Sequence, residues 1–131
     1  MRGDGRGTGL EVGVDEQLDS APCGYIAFGD DSRITAVNNT LLERLGYMRE
    51  DLVGRHVETI LAVGSRIFYQ THLFPLVKLH GRAQEIFLLL RTLGGADVGV
   101  LCNAVRTERD GVATTACVFM EVQERRKYED A

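Results

Sequence analysis

The sequence predicts an α+β domain: one five-stranded antiparallel sheet, short helices over one of its faces, and flanking helical segments at both ends. Three observations predict it. Two short β-rich runs, 25–28 and 34–37, lie together near the start, separated by Gly29-Asp30-Asp31-Ser32. Three alternating runs, 84–92, 98–108 and 112–123, close the chain, joined only by Gly94-Gly95 and by Arg109-Asp110-Gly111. Between these groups the apolar spacing is helical and is broken by glycines. A three-strand meander can extend the first pair into one sheet, and the intervening short helices can then close over one face.

In chain order, residues 1–9, MRGDGRGTG, are polar and Gly-rich and are expected to form a disordered leader. Leu10, Val14 and Leu18 recur at i, i+4 and i+8, which predicts an N-terminal flanking helix within 10–21, centred on 14–20. Pro22 ends it, because the residue before proline is pushed out of the α region. Residues 24–54 then read as strand, tight turn, strand and two short helices. Asn38, Asn39 and Thr40 are N-cap residue types, and Thr40 to Glu43 fits a capping box. Leu41, Leu42 and Leu45 form one apolar stripe, and Gly46 stands at the usual C′ position. Further turns are expected at 49–52 and 56–61, with His56 capping or decorating the second.

Residues 65–79 form the longest helical segment, with Tyr69, Leu73, Leu76, Val77 and His80 on one face. Pro75 lies inside it and removes a backbone donor, so the helix should kink or divide there. Gly81 ends it. In the strand after it, Ile86, Leu88 and Leu90 form the set expected to face the core. The last strand is apolar on both sides, with Val118, Met120 and Val122 on one and Cys117 and Phe119 on the other. Such a strand is expected to be covered twice. The short helices would cover it inside, and the leading helix or a partner subunit outside. Leu18, Val118, Met120 and Val122 are therefore the candidate outer, dimer-forming residues. Residues 125–131 are charged and helix-prone.

The 24–54 stretch resembles the opening of a PAS domain. The matching pieces are Gly24 and Ile26 in the first strand and the Asp31 to Ile34 hairpin, which carries Ser32 where glycine is more usual. The Val37-Asn38 step into a helix, the Leu45-Gly46-Tyr47 helix end and Glu50-Asp51-Leu52-Val53-Gly54 also match. The likeness extends over roughly residues 20–124, which gives a PAS domain at 22–124 followed by the start of a signalling helix at 125–131. It implies a cytoplasmic, homodimeric sensory module of a bacterial signal-transduction protein, two-component systems included. Such a module passes ligand or partner state through its C-terminal helix to an effector outside this chain: a histidine kinase, a serine phosphatase or a diguanylate cyclase.

The resemblance also implies a ligand pocket under the helices. Phe68, His72, Leu88, Asn103 and Phe119 are its candidate residues, Asn103 because Leu101, Asn103 and Val105 form the alternating set that would face it. Some PAS domains hold haem through a histidine on the long helix, which makes His72 and His80 candidate ligands and a haem or small-molecule receptor the alternative function. The residues by themselves read first as hydrogen-bonded or exposed histidines, a structural asparagine and plain core packing. Flavin-binding relatives carry a reactive cysteine in G-x-N-C-R-F-L-Q. The comparable stretch here, residues 64–70, is GSRIFYQ, so that photochemistry is not supported.

Other function classes find little support. A net charge of -4 without a basic run argues against nucleic-acid binding. No apolar run approaches the roughly 18 residues of a membrane span. Three cysteines, Cys23, Cys102 and Cys117, are no disulfide framework and fit a reducing compartment. No Cys/His spacing suggests zinc. With no nucleophile elbow, P-loop or dinucleotide motif, and with Asp30-Asp31 in a solvated turn, catalysis is not expected.

Overall fold

The computed structural model describes residues 14–122. The leader at 1–9 and the segment at 125–131 lie outside these residues. Five strands form one antiparallel sheet: β1 (Gly24–Gly29), β2 (Ile34–Val37), β3 (Arg82–Arg91), β4 (Asp97–Arg109) and β5 (Val112–Glu121), in the order β2-β1-β5-β4-β3. β5 is the central strand. It sets Cys117 opposite Ile26 of β1, and Phe119 opposite Cys102 of β4. The meander therefore joins the first hairpin through the strand that is apolar on both sides.

The inner face collects the side chains that alternation assigns to it. Val98, Val100, Cys102 and Ala104 of β4 are buried, with Leu88 and Leu90 of β3 and Cys117 and Phe119 of β5. This phase places Asn103 on the opposite face, where it is exposed. The expectation that the Leu101, Asn103, Val105 set faces the core is thereby corrected. Four apolar residues in the other phase outweigh a set containing an amide, since burying an unpaired amide is costly. Asn103 has a structural task instead. A bulge in β3 between Ala83 and Ile86 puts Glu85 at φ 54, and the Asn103 Oδ1 accepts from the Glu85 N–H at 2.7 Å.

The helical layer consists of α1 (Glu16–Asp19), α2 (Asn39–Leu45), α3 (Arg49–Leu52), a 3₁₀ turn (Val57–Ile60), α4 (Val63–Phe68), a π-helical turn (Tyr69–Leu73) and α5 (Phe74–His80). The α2 cap is Asn38, not the Thr40 box. The Asn38 Oδ1 accepts from the Leu41 and Tyr25 N–H groups, and its Nδ2 donates to the Leu18 and Cys23 carbonyls. One fully buried amide thus starts α2, holds the first residues of β1 and ties down α1. Gly46 ends α2 in the left-handed region at φ 90, as its position predicts. His56 caps the 3₁₀ turn by accepting the Glu58 N–H on Nδ1.

The long segment divides, as Pro75 requires. Phe74 N–H bonds to the Tyr69 carbonyl, five residues back, so the wide turn lies just before the residue that has no N–H to offer. The buried stripe narrows to Tyr69, Leu73 and Val77. Leu76 and His80, expected on the same face, are exposed. The bonds that hold α1 run to Asn38, Asn39 and Arg49, on the helical side. Among the described residues nothing covers the middle of the outer face of the sheet, where Phe87 is 53% and Met120 52% exposed.

Candidate functional site

Two spaces separate the helical layer from the inner face of the sheet. The larger is a cleft of about 140 Å³ between α2, the entry to β1 and the end of β5. Leu41, Leu45, Leu90, Val98, Val100 and Phe119 line its interior, while Cys23, Thr40, Arg44 and Glu121 bring polar atoms to it. Gly24 makes room for the helix. A Cβ there would stand 2.7 Å from Leu41 Cδ1, closer than such atoms approach, so any larger residue would make the Leu41 side chain shift. Across the cleft, Arg44 of α2 forms a two-point ion pair with Glu121, the final residue of β5, through Nε and Nη2.

The second space, under the π turn, is about 10 Å³, at or below what one water requires. Side chains fill this region. Tyr69 packs edge-on against Phe28 with ring centres 6.1 Å apart and lies 5.7 Å from Phe74. Its hydroxyl shares a 2.7 Å hydrogen bond with the buried Ser32 hydroxyl. Burial pushes the Tyr69 pKa up to about 12, the bond to Ser32 acting in the opposite sense. Ser32 stands at φ 64, the left-handed conformation that makes glycine more usual at this turn. The serine supplies a buried partner for the tyrosine that glycine could not.

The remaining sequence-derived candidates are spread over both faces of the sheet. Phe119 lines the cleft, Leu88 is buried in the core and Phe68 packs against it half-buried. His72 is exposed, its ring stacked on Phe68 at 5.1 Å and its Nδ1 2.7 Å from Thr71 Oγ1. His80 is exposed in the last turn of α5. Asn103 is on the outer face, together with Val118 and Met120, which are half-buried and exposed. Leu18 and Val122 are half-buried, Leu18 on α1 rather than across that face. Neither histidine is aimed at an enclosed space, and neither space reaches the roughly 300 Å³ at which cofactor pockets begin. The residues present do not fit a haem.

Elsewhere charge and thiol chemistry are structural. Arg106 of β4 grips Asp30 with two bonds of 2.9 and 2.6 Å and holds its carboxyl below the usual range. Cys102 and Cys117, diagonal neighbours on β4 and β5, are buried. The neighbouring Cys102 thiol, then burial, raises the Cys117 thiol well above the ordinary value, which suppresses thiolate reactivity. Among the described residues no group of three or more His, Cys, Asp or Glu side chains is placed to hold a metal.

A family model described as "PAS fold" matches residues 18–127. The chain belongs to the PAS family. It is 34% identical over 117 residues to the phosphoserine phosphatase RsbP of Bacillus subtilis (strain 168), a match that takes in 89% of this chain and 29% of that protein's length. Among solved structures, the PAS domain of a protein from Colwellia psychrerythraea aligns with a TM-score of 0.75 at 13% identity, over 83% of this chain and 93% of that one. A PAS domain from a two-component sensor histidine kinase aligns with a TM-score of 0.69 at 15% identity, over 79% and 88%. At these identities the solved structures establish the fold.

Within this PAS fold, the features missed from sequence are the Arg44–Glu121 pair, the rim position of Cys23 and the Ser32–Tyr69 bond. Arg44 and Glu121 are 77 residues apart, so no local pattern joins them. Serine at a turn position that favours glycine was the one legible trace of the Tyr69 contact.

Proposed function

We propose that this PAS domain is a cytoplasmic sensory and dimerisation module that passes the state of its helical layer to a downstream effector. The observation that carries the reading is the Arg44–Glu121 pair, which ties α2 to the last residue of the central strand. In sequence, residues 123–131 follow that strand after Val122. A shift of α2 therefore acts on the point where the chain leaves the sheet, and whatever prefers one packing of α2 biases the departing segment.

Dimerisation is supported by the open outer face. Phe87, Met120 and Val105 are exposed there, and the Phe87 ring lies 3.2 Å from where a Cβ on Gly99 would be, so it rests flat on the sheet. An apolar surface of this kind is costly in a monomer. Cytoplasmic placement is supported by three free cysteines, and no described helix is long and apolar enough to cross a membrane. The effector we favour is a serine phosphatase, because the relative at 34% identity is named a phosphoserine phosphatase and this chain spans 29% of it. The reading gives the PAS domain itself no catalytic step. Replacing the matching segment of that relative with residues 18–127 tests it. Phosphatase output that changes with Arg44→Met is expected; output indifferent to the pair would remove the reading.

A further inference from the structure

We propose that the α2–β5 cleft is a binding site for a small neutral molecule of about six to eight non-hydrogen atoms, with an apolar body and one oxygen that accepts a hydrogen bond. The size is set by the volume. An apolar protein cavity of about 150 Å³ admits benzene, and this cleft measures about 140 Å³. The body is set by the lining, since Leu41, Leu45, Val98, Val100 and Phe119 are buried and offer no polar atoms. The head group is set by Arg44. Glu121 takes its Nε and Nη2 hydrogens, and among the described residues Nη1 has no acceptor. That nitrogen can donate to a hydroxyl or carbonyl oxygen at the rim while the ion pair stays closed. Glu121 requires neutrality. A ligand carboxylate would sit beside the Glu121 carboxylate around a single guanidinium, and like charges at that range repel.

The site differs from the pocket the sequence pointed to. It lies on the α2 side and not under the long helix, and it contains neither His72 nor Asn103. It deepens the proposed function by naming what biases α2, because the ligand would touch both members of the Arg44–Glu121 pair.

The test is a titration of the 131-residue chain with benzyl alcohol, observed by methyl NMR. Saturable shifts confined to the methyls of Leu41, Leu45, Leu90, Val98 and Val100 are expected. Arg44→Met should weaken binding about tenfold, the loss of one bond to a charged donor. Cys23→Phe, which fills the rim without touching a hydrogen bond, should abolish the shifts. Benzoate, similar in size but charged, should bind at least tenfold more weakly. No saturable shift at these methyls, shifts unaltered by both variants, or benzoate binding as tightly as the alcohol would overturn the assignment. Binding without any change in backbone exchange at the end of β5 would count against the proposed function and leave the site standing. A fold unchanged by circular dichroism in both variants is the control.

Discussion

Asn38 and Tyr69 show how single polar side chains hold this molecule in one arrangement. Asn38 uses both its acceptor and its donors in a site with no exposure, so Asn38→Asp should be as damaging as Asn38→Ala. The carboxylate keeps the cap but faces the Leu18 and Cys23 carbonyls with no hydrogen to give. Each change is expected to cost about 3 kcal/mol in urea unfolding, the alanine through a lost cap plus unpaired buried carbonyls, the aspartate through a buried charge set against those same carbonyls. Tyr69→Phe keeps the ring and strands the Ser32 hydroxyl, at about 1–2 kcal/mol. It also changes the alkaline limb. The folded pKa of about 12 lies above the ordinary 10.0, so the tyrosine's contribution is complete below pH 10 and falls as pH rises toward 12. Stability measured from pH 9 to pH 12 should drop by about 2–3 kcal/mol more in the wild type than in Tyr69→Phe. Parallel curves would contradict the buried hydroxyl pair.

At the scale of elements, the sheet was legible because alternation and turn chemistry agree along each strand. β5 could be placed by its two apolar sides, and the division of the long helix by Pro75. Asn103 was misplaced because its set and the Cys102 set are both largely apolar. What separates them is that Val98, Val100, Cys102 and Ala104 are apolar throughout, whereas the other set carries the amide. Of the cleft, Phe119 alone was named as a pocket residue from sequence; the other walls come from α2, β3 and β4, and the mouth from residues 77 apart. Gly24 adds a mark only once α2 is known to lie over that strand. Gly24→Ala should force Leu41 aside, costing about 1–3 kcal/mol by thermal unfolding and displacing α2 over the cleft. A stability within about 0.5 kcal/mol of wild type would show that α2 is held more loosely than the packing indicates.

For the whole molecule, the proposed function gives a signal two ways out of the domain, the outer sheet face and the α2–β5 link. Met120→Glu places a charge on the open face without entering the core. Solution mass across a dilution series should show a dimer for the wild type and a monomer for this variant. A wild-type monomer at every concentration would remove dimerisation from the account. The link from α2 to the exit strand is the central claim, and amide hydrogen exchange reads it directly. Val122 N–H is bonded to the Gly99 carbonyl just beyond Glu121, and so reports on the end of β5. Arg44→Met is predicted to speed exchange at Glu121 and Val122 about two- to fivefold, the range of one exposed ion pair, and to leave the Leu88 and Leu90 amides unchanged. Unaltered exchange at Glu121 and Val122 would mean that α2 does not govern the strand from which the chain departs.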